Sequence, residues 1–122
     1  GVGPNAGVTI SWNAETLDAS NYWVSGAPTR ITVPTGKGGY YFITFTWNLN
    51  AATANRALGT ISVYNSSAVL QRGYRGPLGR DDALTTNPVF TKLEDGDFLE
   101  CSAYTQDSVT MVAAQIEVVR FA

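Results

Sequence analysis

Apolar and polar positions alternate with a period of two through most of this chain, and the 3.6-residue period of an amphipathic helix takes over nowhere. The densest run of β-branched and aromatic residues lies in residues 30–48, behind the glycines at 36, 38 and 39. Along such a strand Tyr41, Ile43, Phe45 and Trp47 share one face, while Tyr40, Phe42, Thr44 and Thr46 share the other. Both faces begin apolar. An antiparallel strand at the outside of a monomer normally keeps one polar face, so this one calls for a second covering layer, either a sheet or a partner chain.

The rest of the pattern is built around that strand. Val8, Ile10 and Trp12 alternate with Thr9 and Ser11 as a first strand, residues 15–20 are ambiguous, and residues 31–33 form a short strand that ends at Pro34. Residues 48–55 read as a loop or one helical turn before Leu58, Ile61 and Val63 resume a strand, and Asn65-Ser66-Ser67 is a hairpin turn. Val69-Leu70 restarts a strand that leads into residues 72–82, a glycine-rich stretch of mixed charge and the best candidate functional loop. Val89-Phe90, residues 98–105 and residues 110–121 supply the remaining strands, with turns at Asn87-Pro88 and at Glu94-Asp95-Gly96-Asp97. Hairpin following hairpin in this way predicts an all-β, antiparallel two-sheet sandwich. Residues 1–7 have the glycine and proline content of a flexible lead-in, which leaves 8–122 as one domain.

Gly39-Tyr40-Tyr41-Phe42-Ile43-Thr44-Phe45 resembles the glycine–tyrosine–aromatic signature of the globular heads of complement C-one-q and tumour necrosis factor-like proteins, with Ile43 in place of an aromatic. Leu93-Glu94-Asp95-Gly96-Asp97-Phe98-Leu99 is similar to that family's second landmark, a leucine followed by Gly-Asp and an apolar strand. Trp12-Asn13-Ala14-Glu15-Thr16-Leu17-Asp18, Tyr22-Trp23 and residues 28–34 resemble the version of the domain found in bacteriophage structural proteins, tail fibres and head fibres among them. The resemblance implies a jelly roll with the central and last strands together in the inner sheet, and a homotrimer packed through the outer faces of three such sheets. Tyr40, Phe42, Phe98 and Tyr104 stand opposite a core set of Tyr41, Ile43, Leu99, Cys101 and Ala103, so they are the expected trimer face, with Glu100 and Arg120 pairing across subunits. The alternative is that both faces are covered within one chain.

Composition narrows the chemistry. Charged residues are 15% of the chain against a usual quarter, which again points to covered surface. A net charge of −2 without a long basic run gives no footprint for nucleic acid or an anionic membrane, and no apolar run approaches the roughly 20 residues that cross a bilayer. The lone cysteine, Cys101, excludes an intrachain disulfide and sits at a core position. There is no histidine, which removes the usual serine triad, the cysteine–histidine pair and most transition-metal sites. Paired carboxylates remain for glycan hydrolysis, namely Glu15 with Asp18, Asp81 with Asp82, and Glu94 with Asp95 and Asp97; all lie in or beside turns, where acidic side chains cap backbone amides. Some members of the resembled family carry calcium, but no loop signature specific for calcium accompanies Asp81 and Asp82, and no metal or cofactor is assigned.

The expected function is therefore non-enzymatic. Read with the resemblance, the chain is a trimeric binding head of a virion surface or fibre protein, attaching to a host cell-surface glycan or protein. The alternatives are a structural capsid or fibre decoration and trimerisation module and, third, a carboxylate-based glycan-degrading enzyme. A virion surface location follows, or a secreted one if the animal branch of the family is the nearer. Ligand contacts are expected from Arg72, Tyr74, Arg75, Arg80, Asp81 and Asp82, because arginine and tyrosine offer planar donors and rigid aromatic area, with Tyr22 and Trp23 next in line.

Overall fold

One strictly alternating run of eleven residues organises the architecture. The computed structural model describes residues 6–12, 21–49, 57–76, 83–85, 88–105 and 111–121. Among them are nine strands and no helix: β1 (Ala6–Thr9), β2 (Ile31–Thr32), β3 (Gly39–Leu49), β4 (Ala57–Tyr64), β5 (Leu70–Arg75), β6 (Ala83–Thr85), β7 (Val89–Leu93), β8 (Phe98–Thr105) and β9 (Met111–Arg120). They form two antiparallel sheets. In the five-stranded sheet β1 and β2 share one side of β8, β4 lies on its other side, and β5 lies beyond β4. In the four-stranded sheet β3 is central, with β9 along one side and β6 and β7 end to end along the other.

The core is the space between the sheets, filled by the period-two positions. Tyr41, Ile43, Phe45, Trp47 and Leu49 of β3 are buried against Ile61 and Val63 of β4 and Leu99, Cys101 and Ala103 of β8. Phe45 and Trp47 stack at 6.4 Å, and Trp12 meets Phe45 edge-on at 6.2 Å, the two geometries that ring quadrupoles favour. The inward set expected for β3 and β8 is thus the observed one, and Cys101 is a buried free thiol whose ionisation burial pushes far up. One apolar face of β3 is covered by the other sheet. The opposite face is open: Tyr40 is 43% and Phe42 45% exposed, so both faces are not covered within the described chain.

Three local expectations are corrected. The predicted succession of hairpins reduces to one, because β4 and β5 are the only consecutive described strands that pair with each other. The chain instead passes from one sheet to the other after β2, β3, β5, β7 and β8. A turn residue specifies reversal and leaves open which sheet receives the next strand. The lead-in ends earlier than composition suggested, since Ala6 and Gly7 pair with Thr105 and Tyr104; ladder bonds come from the main chain, and a glycine makes them too. Finally, Arg72, Gly73, Tyr74 and Arg75 belong to β5, not to a loop.

The β4–β5 hairpin closes on Asn65. Its side-chain oxygen accepts from the amides of Ser67 and Val69, both at 3.0 Å, which lets Ala68 hold a left-handed φ of 62°. Asn65 is therefore a turn-forming residue by mechanism as well as by type.

Candidate functional site

Because β5 pairs with β4 so that Arg72 stands opposite Val63 and Tyr74 opposite Ile61, both side chains point to the inner side of the sandwich at its edge. There they reach the other sheet. Arg72 Nε donates to Thr91 Oγ1 at 3.0 Å and to Tyr74 Oη at 3.1 Å, its Nη2 donates to the Lys92 carbonyl, and Tyr74 donates to Thr91 Oγ1 at 3.2 Å. The Tyr74 ring packs on the core. The two central residues of the expected receptor loop are therefore a clasp between the β5 and β7 edges, and their expectation as freely presented loop contacts is corrected. Periodicity explains the difference: once β5 continues to Arg75, Arg72 and Tyr74 fall on the inward register of Ile61 and Val63. Arg75 is exposed on the outward register, opposite Thr60. Arg80, Asp81 and Asp82 lie outside the described residues, as do Glu15 and Asp18.

Tyr22 and Trp23 are anchored, half-buried and packed against the core. Tyr41 gives its proton to the Lys37 carbonyl, so the 2.8 Å contact between the tyrosine hydroxyls is donated by Tyr22. Burial and this bond push the Tyr41 hydroxyl far above its usual ionisation range. Trp23 Nε1 donates to the Pro28 carbonyl at 3.2 Å.

The remaining acidic candidates serve turns. Asp95 accepts from the amides of Gly36 at 2.8 Å and Gly38 at 2.7 Å, joining the turn before β3 to the turn before β8. A β-carbon on Gly38 would stand 2.9 Å from Asp95 Oδ1, so glycine is needed there for close approach. Asp97 Oδ2 accepts from the Glu94 amide at 2.9 Å, and Glu94 pairs with Lys92 at 3.4 Å. Among the described residues no three acidic or cysteine side chains group as metal ligands would.

These bonds make a pH prediction. The Gly36 amide first, then that of Gly38, holds the Asp95 carboxyl below its ordinary value. A depressed folded value means that the bond's contribution is present above the unfolded carboxylate range and is lost as pH falls through the folded value. Asp95→Ala is expected to lower the urea midpoint at neutral pH, with the gap to the parent narrowing at strongly acid pH. A gap of equal size at both pH values would refute the bond's role.

An exposed apolar patch was only half anticipated. On the outer side of the four-stranded sheet, Phe42 stands in register between Phe90 of β7 and Val119 of β9. Tyr40 stacks on Phe90 at 5.7 Å, and Phe121 lies 4.9 Å from Phe90 and 5.6 Å from Phe42. Phe90, Val119 and Phe121 are each more than half exposed. The signal was in the sequence, since Phe90 lies within β7 and Phe121 directly follows β9, strands whose alternate positions face the core, but it is readable only once β7 and β9 are known to sandwich β3.

The expected trimer face is split by the fold. Tyr40 and Phe42 belong to the aromatic patch, whereas Phe98, Glu100 and Tyr104 point outward from β8, on the opposite side of the molecule. Phe98 is covered there by Tyr64, stacked at 4.9 Å, and by the Arg30 guanidinium at 4.1 Å; Glu100 accepts from Thr29 Oγ1 at 2.6 Å. Arg120 lies on β9 and donates to the Gly38 carbonyl at 3.1 Å. One continuous surface cannot hold all six, and the pairing of Glu100 with Arg120 loses its basis. The error came from treating β3 and β8 as neighbours when they lie in different sheets. No protein-family model matches the chain, and no curated protein matches it significantly.

Proposed function

We propose that the chain is a non-enzymatic jelly-roll module that assembles as a homotrimer through the outer face of its four-stranded sheet, as the binding head of a virion surface or fibre protein that attaches to a host cell-surface glycan. The observation that carries it is the exposed aromatic patch of Tyr40, Phe42, Phe90, Val119 and Phe121. Five large apolar side chains in contact on one side of a small domain, in a chain so poor in charge, are what a self-associating surface requires. The jelly-roll reading draws support from strand order, with β3 beside β9 and most connections crossing between sheets, and from the likeness to complement C-one-q and tumour necrosis factor-like heads.

A second reading, a structural capsid or fibre decoration and trimerisation module, is favoured by the use of Arg72 and Tyr74 as an internal clasp. It shares the assembly and differs in having no receptor. Light scattering at micromolar concentration is expected to give the mass of three chains; a monomer would refute the assembly. Binding of the trimer to host cells separates the two readings, since the structural module would bind none.

A further inference from the structure

We propose that the groove between the β5 and β7 edges is a binding site for a neutral saccharide. This deepens the attachment reading above and rests on it for biological purpose, although the groove's chemistry is independent of assembly. The groove has a volume of about 420 Å³, within the range of small-ligand sites. Its walls are the amides Asn65 and Gln71, the cations Arg72 and Lys92, and the carboxylates Glu94 and Asp97, with Thr91 also lining it.

Three properties of that lining select the ligand. No apolar residue lines it, so a purely hydrophobic ligand would leave the polar groups of the lining without partners. Two cations face two carboxylates, so the lining has no net charge to favour a phosphate or another anion. What remains is a close mixture of donors and acceptors, which suits hydroxyl groups because each one both donates and accepts. The same groups keep spare capacity: the Asn65 turn uses its oxygen and leaves its amide nitrogen, and Gln71 donates to the Val69 carbonyl while its oxygen has no partner among the described residues.

The site is also held ready. Arg72 is fixed by bonds to Thr91, Tyr74 and the Lys92 carbonyl, so its remaining N–H groups are aimed before a ligand arrives. At the rim, the Lys92–Glu94 pair is more than half exposed, and such a pair opens to a ligand at little cost. The hairpin and the turn before β8, which both contribute residues to the groove, also approach each other closely: Gly96 holds φ at 82°, and a β-carbon on it would stand 3.0 Å from Ser66 Cβ.

The test is a printed panel of neutral and acidic oligosaccharides, followed by saturation-transfer NMR on the hits with the full chain. Neutral glycans are expected to bind, and Gln71→Ala and Lys92→Ala are each expected to weaken binding about three- to tenfold without altering the circular dichroism spectrum. Both substitutions remove side-chain atoms alone: the Lys92 carbonyl that the clasp uses and the Asn65 amide bond to the Val69 carbonyl that closes the hairpin are main-chain groups and stay, so folding is retained. Binding confined to acidic glycans, binding unchanged in both variants, or no binding to any neutral glycan would each overturn the proposal. Light scattering on the same samples separates the two readings: a trimer that binds no sugar removes the groove and keeps the assembly, and a monomer that binds sugar does the reverse.

Discussion

Phe45→Ala is expected to lower the unfolding free energy by about 3–5 kcal/mol, a large part of the 5–15 kcal/mol that a domain of this kind commands. Phe45 has no exposed surface, with Trp47 stacked on one side and Trp12 edge-on at another. Its strand is paired on both sides along much of its length, with β9 following it from Tyr41 to Leu49, so the backbone has little freedom to close the void. Both the transfer energy of the ring and the cavity left behind are then lost. Phe42→Ala removes the same ring three residues earlier from a position that is 45% exposed, and it is expected to cost much less when chains are dilute enough to be separate. Urea unfolding followed by far-ultraviolet circular dichroism checks both, and equal losses would contradict the assignment of inner and outer faces on β3.

The alternation that separates those two phenylalanines was legible in the sequence, because period-two order is a local property of the chain. Tyr41, Ile43, Leu99, Cys101 and Ala103 are buried as expected. The turns at Asn65 and Gly96 were legible too, since side-chain oxygens and positive φ act within a few residues. What stayed hidden was long-range: which strands neighbour one another. Phe98 and Tyr40 look equivalent in sequence, each apolar and each opposite a core set, yet they belong to different sheets. Arg72 and Tyr74 look like loop residues beside so many glycines; their role appears only when β5 reaches Arg75 and Thr91 of the facing sheet comes within hydrogen-bonding distance. Strand β6 was missed because three residues carry almost no periodic signal. The groove, formed by side chains from segments about 20 residues apart, has no signature in any one stretch.

Phe42→Asp is expected to convert the proposed trimer into folded monomers at micromolar concentration. Phe42 is the centre of the patch, flanked by Phe90 across one ladder and Val119 across the other, with Phe121 against its ring. Central aromatics in interfaces commonly carry about 2 kcal/mol or more each, and an aspartate there must also lose its hydration without a partner. Each 1.4 kcal/mol is about tenfold in an equilibrium constant, and the change is present in every subunit, so the loss multiplies. The isolated fold gains a polar residue on a surface already open to water, so its circular dichroism spectrum should not change. Thr60→Asp is the matched control: it places the same charge on the outer side of the other sheet, opposite Arg75, and is expected to leave the trimer intact. Sedimentation velocity distinguishes the outcomes. If Thr60→Asp disperses the assembly and Phe42→Asp does not, the contact lies on the five-stranded sheet, where Tyr64, Phe98 and Arg30 stack, and the aromatic patch is left without the role proposed for it.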